Sequence, residues 1–405
     1  MACLVGSWFW GVGCEMGAVR DGMAGTSPVT GSVTSAEVPR TVVVTGHFPP
    51  QPGGVQTFTW ELVRRLPPDR VAVVAPHHSA ARAFDRTLPF PVVRRRGYLL
   101  TRDLRRIAAD AGASTGWIPA LAPIGMYAPL LRRAGLDRVV ASSHGQELGW
   151  LQVRPTREAI RRAARRLDVL TYLTPHTGRR LAPVLDRPEI LRRLAGGVDV
   201  SLFRPPPARP PGPPTVISVS RLVRRKGQDV LLDAWPGVLA AVPDARLVLV
   251  GVGPMFERLA RAAAAPWLHD SVRLTGYLPR PELAATLAGA DVFVLPCRDD
   301  RGGLQTEGLG LAILEASAAG LPVVVGRSGG AGDAVRDGWT GLLVRAEDPA
   351  ELAAALVRLL RDPALAQAMG RAGRRWVAEA WTWPASVRSL ARVLSDGEPQ
   401  TADLC

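Results

Sequence analysis

Two glutamates and a lysine carry the densest chemical information in this chain. Glu307 and Glu315 lie eight positions apart in RGGLQTEGLGLAILEA (301–316), a segment otherwise almost free of charge. Eight residues make a little over two helical turns, so the spacing predicts both carboxylates on one face of a helix. Such a pair accepts hydrogen bonds from the vicinal hydroxyls of a sugar ring or a ribose; two solvated acids on a surface helix share the same spacing. The apolar run DVFVLP (291–296) and Gly302-Gly303 precede the pair, which predicts a buried parallel strand, a loop and then the helix. Asp299-Asp300 in that loop has flanking arginines and no third ligand, and reads as surface acids, not as a metal site.

Lys226 is the only lysine among 50 basic residues. It stands with Arg221 in SRLVRRKGQD, directly after the strand-like TVISVS. A compact ammonium can meet one diphosphate oxygen where a guanidinium fork would not fit. The backbone amides of Gly308, Leu309, Gly310 and Leu311, at the expected helix start, are further phosphate donors. In the first half, Gly53-Gly54 follows the strand TVVVTG and lets bare backbone approach a phosphate. A GG pair alone is more often a turn, and this one is not the GxGxxG of dinucleotide oxidoreductases. His144 ends the strand RVVASS, where doubly wound sheets bind ligands. His47, His77, His78, His176 and His269 read as packed or capping side chains.

A chain of 405 residues exceeds one ordinary core and implies two domains. Hydrophobic content of 47% with 21% charged residues describes a globular protein. Strands and helices alternate twice: TVVVTG, RVAVVAP, FPVVRR, RVVASS and DVLTYL, then TVISVS, RLVLVG, SVRLTGY and DVFVLP. The fold class expected is α/β, two doubly wound Rossmann-like domains. The boundaries are a disordered extension over 1–40 (with Met23 as an alternative start), a first domain over 41–204, and a proline-rich linker over 205–214. The second domain covers 215–382, a helix over 383–396 crosses back to the first domain, and 397–405 is a tail. The apolar start lacks a basic region and is broken by glycines, so it makes a poor secretory signal. The longest apolar stretch, WIPALAPIGMYAPLL, contains three prolines, so a spanning helix is not expected. Cys3, Cys14, Cys297 and Cys405 form no CxxC pair, which argues for a reducing cytoplasm.

The net charge of +14 is one-sided. Residues 41–204 carry 26 arginines against 12 acidic residues, whereas 205–405 carry 22 basic against 21 acidic. No zinc-finger or RNA-binding signature accompanies the excess, so nucleic acid is not an expected partner. In REAIRRAARRLD (157–168), Arg157, Arg161, Arg162, Arg165 and Arg166 form a helical stripe opposite Ile160, Ala163, Ala164 and Leu167. The stripe is either a solvated basic face or a helix resting on anionic lipid.

E-x7-E after a strand and a glycine-rich loop resembles the signature of retaining glycosyltransferases with the GT-B fold, of the glycosyltransferase 4 type. SRLVRRKGQD, GGLQTEGLGLAILEA and RSGGAGDAV are similar to GDP-mannose-dependent phosphatidylinositol mannosyltransferases of actinobacteria, and the likeness runs from about residue 41 to about 395. LAGGVDVSLFRP matches that family's GVDxxxFxP at Gly197, Val198, Asp199, Phe203 and Pro205. The resemblance implies two domains facing across a cleft and transfer of a hexose, mannose from GDP-mannose, to a lipid-linked acceptor with the anomeric configuration retained. By resemblance Arg221 and Lys226 bind the donor diphosphate, Glu315 the ribose, Glu307 and His144 the transferred sugar, and Gly53-Gly54 lies over the diphosphate. Neither a cofactor nor a metal is implied. The expected state is a monomer or weak dimer, peripheral on the cytoplasmic face of the plasma membrane. Two departures stand out: HGHE reads HGQE, with Gln146 as the substitute, and GGAPE ends in Gly332-Asp333, expected to be a simple turn. A transferase with another nucleotide-sugar and a soluble acceptor, and a GT-B sugar-nucleotide epimerase, remain the alternatives.

Overall fold

A computed structural model describes residues 33–395 apart from 52, 98, 123, 208–211 and 269. The expectations for residues 1–32, for His269, for the middle of the linker and for the tail lie outside the described residues.

Among the described residues, thirteen strands form two sheets. The first contains β1 (Thr41–Val44), β2 (Val71–Pro76), β3 (Val92–Arg95), β4 (Thr115–Ile118), β5 (Arg138–Ser143), β6 (Val169–Tyr172) and β7 (Leu191–Arg193), in the order β3-β2-β1-β4-β5-β6-β7. The second contains β8 (Thr215–Val219), β9 (Arg246–Val250), β10 (Val272–Gly276), β11 (Val292–Leu295), β12 (Val323–Gly326) and β13 (Gly341–Val344), in the order β10-β9-β8-β11-β12-β13. Every pairing is parallel. Valine-rich strands such as TVVV and VFVL are buried along their whole length because helices cover both faces. In each sheet the winding direction reverses beside the first strand, between β1 and β4 and between β8 and β11. Crevices at the carboxyl ends of strands next to such reversals bind ligands in open α/β sheets. The strands β4, β7, β12 and β13 go beyond those read from sequence. In β4, TGWI, the glycine and tryptophan break the β-branched pattern that marks the other strands.

The domains are tied by the chain's return. Helix Trp383–Leu394 leaves the second domain and packs on the first, against helix Gly54–Val63 and β5. The Val198 amide donates to the Trp381 carbonyl (2.8 Å), Arg138 Nε donates to the Val393 carbonyl (3.0 Å), and Trp383 meets Phe58 edge to face at 6.2 Å. One continuous apolar cluster therefore runs from Phe58 and Trp117 through Trp381 and Trp383 to Leu309 and Ile313.

One boundary needs correction. Residues 33–40 are not part of a disordered extension, since Val33 and Val38 are buried in that cluster and Ser35 Oγ donates to Asp69 (2.8 Å). Apolar side chains at positions 33 and 38 have a core to enter, and that holds the segment.

Trp383→Ala removes a side chain that is only 1% exposed at the crossing. The expected cost is about 3–5 kcal/mol, read as a lower urea midpoint, with the larger loss in the first domain, whose face the helix covers.

Candidate active site

Glu307 is in the loop before the helix, not on it. The helix runs Leu311–Ala318, and Gly310 at its N-cap adopts φ 79°, a left-handed conformation that glycine reaches without strain and that turns the chain into the helix. Only Glu315 of the pair is helical, so the eight-residue spacing does not act as a helix face. Instead the loop lays Glu307 across the carboxyl ends of β8 and β11. Its Oε2 takes Lys226 Nζ at 2.6 Å and Arg225 Nη1 at 2.5 Å. The carboxylate is 8% exposed and Lys226 is equally buried. Burial pushes this carboxyl up, but Lys226 and then Arg225 outweigh it and hold the pKa below the ordinary carboxylate value.

Glu315 has the opposite balance. It is 9% exposed and has one cationic partner, Arg280 Nη1 at 3.1 Å. Burial dominates and raises its pKa despite Arg280. The Arg280 guanidinium also lies 5.1 Å over the face of Phe203, the aromatic residue of the GVDxxxFxP stretch.

His144 faces this loop from the first domain. Its Nε2 lies 2.5 Å from the Pro119 carbonyl, which assigns the ring proton to Nε2 and leaves Nδ1 as an acceptor. Burial lowers its pKa to about 4, so the ring is neutral near pH 7. Phe58 packs edge-on at 4.9 Å and fixes the ring plane. The two domains touch here. A Cβ on Gly308 would fall 2.0 Å from the His144 carbonyl oxygen, so only glycine lets the Glu307 loop approach that closely. His47, expected to be merely packed, is partly buried, and its pKa is lowered by burial first and then by the charge of His144.

The other expected residues occupy distinct positions. Gly53 and Gly54 open helix Gly54–Val63 at the end of β1, with Gly53 as its N-cap. Gly308 to Leu311 bridge Glu307 and the helix start, with Leu309 buried. Arg221 stands exposed after β8, and no described hydrogen bond or ion pair engages its guanidinium, so the structure unites Lys226, not Arg221, with Glu307. The basic stripe is partly neutralised. Its helix ends at Ala164, Glu158 pairs with Arg161 and Arg162, and Asp186 pairs with Arg161 and Arg165. Arg157 and Arg166 remain exposed. No group of three or more His, Cys, Asp or Glu among the described residues could hold a metal ion. A cavity of about 400 Å³ opens at the amino ends of β8, β9 and β10, across the sheet from all these residues.

Four participants escaped the sequence reading. Arg225 adjoins Lys226 and could have been found by treating RRK as a unit. Arg280 is 35 residues from Glu315 and has no local signal. Glu147, in the altered HGQE, is 3% exposed, accepts from Ser143 Oγ (3.0 Å) and has a pKa raised by burial. Asp333 lies in a 3-10 turn (Gly329–Ala334) that is more than a turn, because Asp333 Oδ2 accepts the His176 amide of the first domain at 2.7 Å.

Residues 199–376 match the family model "Glycosyl transferases group 1". The chain is 41% identical over 376 residues to the GDP-mannose-dependent alpha-(1-6)-phosphatidylinositol monomannoside mannosyltransferase of Mycobacterium tuberculosis, covering 88% of this chain and 98% of that protein. It is 36% identical over 380 residues to the Corynebacterium glutamicum enzyme acting on the monoacylated acceptor, covering 89% and 99%. Among solved structures, Anabaena HepE in complex with UDP superposes with TM-score 0.77 at 18% identity, over 88% of this chain and all of the other, and shares the fold. The two facing parallel sheets are the GT-B architecture, and the chain belongs to the group 1 glycosyltransferases, in the family of GDP-mannose-dependent phosphatidylinositol monomannoside mannosyltransferases.

Proposed function

We infer that this chain transfers mannose from GDP-mannose to a phosphatidylinositol mannoside at an anionic membrane surface. The observation that carries the reading is the buried Lys226–Glu307–Arg225 cluster against His144, in a chain 41% identical to enzymes of that activity. Incubation of the purified chain with GDP-mannose, UDP-glucose and phosphatidylinositol monomannoside, followed by mass analysis of the lipids, tests it. A hexose added only from UDP-glucose would overturn the donor assignment. Nucleotide-sugar consumed equally without lipid would favour the epimerase alternative.

The residues suit departure of a diphosphate. Lys226, with Arg221 free to swing in, supplies fixed positive charge where the β-phosphate develops charge as the C1–O bond breaks. That charge removes the need for a divalent metal. GDP leaves with the bonding electron pair, the acceptor hydroxyl forms the new C1–O bond, and its proton passes to the departing phosphate. Glu307 is ion-paired through Oε2 with Arg225 and is therefore a weak nucleophile. This favours same-face displacement over a covalent glycosyl–enzyme intermediate, and with it retention of configuration. The neutral His144 and the second oxygen of Glu307 meet the hexose, while Glu315 takes the ribose. No described helix is long and apolar enough to cross a membrane. The arginine-rich first domain supports peripheral attachment to the cytoplasmic face.

Lys226→Ala is expected to lower kcat about a hundredfold, the scale of one lost preorganised donor. Lys226→Arg should also be poor, because a fork replaces a point contact; steady-state kinetics on both variants decide it. Glu315→Gln should weaken GDP and GDP-mannose alike. Glu307→Gln should leave GDP affinity near wild type and cost turnover; calorimetry with GDP and a single-turnover assay separate the two. At the membrane, charge reversal of Arg157, Arg162 and Arg166 to glutamate is expected to abolish co-sedimentation with anionic vesicles, since each basic residue contributes about 1 kcal/mol near such a surface. GDP binding should survive the reversal. Unchanged sedimentation would mark the stripe as solvated.

A further inference from the structure

Glu307 meets two cations through a single oxygen, and the donor needs one of them. Lys226 Nζ and Arg225 Nη1 both engage Oε2. Lys226 is the compact cation suited to a diphosphate oxygen, so donor binding draws on a contact that also holds Glu307. If Lys226 were the sole partner, the carboxylate would lose its anchor at the moment the hexose arrives.

The turn that carries Arg225 is fastened by backbone bonds that do not involve the Lys226 side chain. The Arg225 carbonyl accepts the Arg298 amide at 2.9 Å, which joins the Arg224–Lys226 turn to the segment following β11. Arg298 in turn pairs with Asp229 at 2.7 Å, at the start of the helix that follows the turn. Arg225 thus reaches Glu307 from a frame held at both ends. Its side chain is 24% exposed against 10% for Lys226, so it stands at the edge of the cluster. The loop is steadied from the other side as well, since the Glu307 carbonyl accepts the Gly330 amide at 2.7 Å.

We propose that Arg225 is the positioning residue of this site: it retains Glu307 Oε2 when Lys226 turns to the donor diphosphate, so that Oε1 stays aimed at the hexose. This rests on the mannosyl-transfer reading and assigns within it a residue that the sequence motif leaves out. Arg225 touches neither reacting atom and acts through Glu307. The charged and titratable groups around Glu307 are Lys226 and Arg225, the buried thiol of Cys297, Asp299 by way of Ser328 Oγ, and His144 across the interface. Cys297, pushed up to about 12, and His144, at about 4, are both neutral near pH 7. Arg225 is therefore the cation left to oppose burial once Lys226 is engaged. Removing it moves the Glu307 pKa upward, and the acid limb of kcat follows to higher pH.

The test uses Arg225→Met and Arg225→Lys in the full chain, with GDP release from GDP-mannose measured in the presence and absence of phosphatidylinositol monomannoside. Arg225→Met is expected to lose about ten- to a hundredfold in kcat, the range for a group that orients another. Its GDP affinity by calorimetry should stay within about threefold of wild type, which also establishes that the domain is folded, and the acid limb of kcat should move to higher pH. Arg225→Lys should restore the limb and part of the rate. A kcat within twofold of wild type for Arg225→Met would overturn the proposal. So would a loss of GDP affinity in step with kcat, or an unmoved acid limb. Should the unmodified chain release GDP but leave the lipid unchanged, the acceptor reading fails; the Arg225 comparison, read on GDP release, still decides this proposal.

Discussion

A buried carboxylate persists as an anion where cations or hydrogen-bond donors meet it, and Glu307 is held by two cations. Removed from water at the junction of the two domains, it is stabilised by Lys226 and Arg225, both on the turn after β8. The rest of the site follows from that need. The turn must present two adjacent cations inward, the loop after β11 must bring the acid to them, and the first domain must close over the loop without supplying a competing charge. The neutral ring of His144 and the bare backbone of Gly308 meet the last condition.

The same constraint explains why the two sheets face each other through their carboxyl ends. Parallel strands covered by helices leave their ends as the place where loops of irregular shape can carry polar groups. Two such ends placed together make a cleft lined from both sides. The contacts across it are short and specific: Asp333 to the His176 amide, Gln152 Nε2 to the Gly303 carbonyl at 2.9 Å, and the helix Trp383–Leu394 returning over the back. The first two join loops beside the site to the opposite domain, and the helix ties the domains behind it.

Much of this was legible in the chain. Valine-rich runs marked the strands because parallel strands are buried on both faces, and GVDVSLFRP and the proline run that follows marked the junction between domains. Lys226 stood out by composition alone. The failures have physical causes. The Glu307–Glu315 spacing suggests one helix because periodicity cannot see that Gly310 turns the chain between them. Arg280 and Asp333 meet partners 35 and 157 positions away, and no local pattern encodes a contact of that range. The basic stripe looked continuous because Asp186, which neutralises part of it, lies on a different element. Val33 and Val38 were assigned to an extension because a short apolar pair becomes core only when a core is beside it.

The contrasting environments of the two glutamates add a further step. Glu307 is stabilised as an anion by two cations, while Glu315 is pushed toward its neutral form by burial that Arg280 only partly offsets. Hydroxyl groups donated by a ribose would stabilise the charged form of Glu315 and offset that burial. Glu307 needs no such offset. Its charge is already compensated, and a ligand that takes Lys226 away disturbs a balance instead of completing one. On the mannosyl-transfer reading, a bound nucleotide would relieve the burial of Glu315, whereas a bound diphosphate would draw Lys226 away from Glu307. The two side chains differ in charge balance through environment and not through residue type, since both are glutamates.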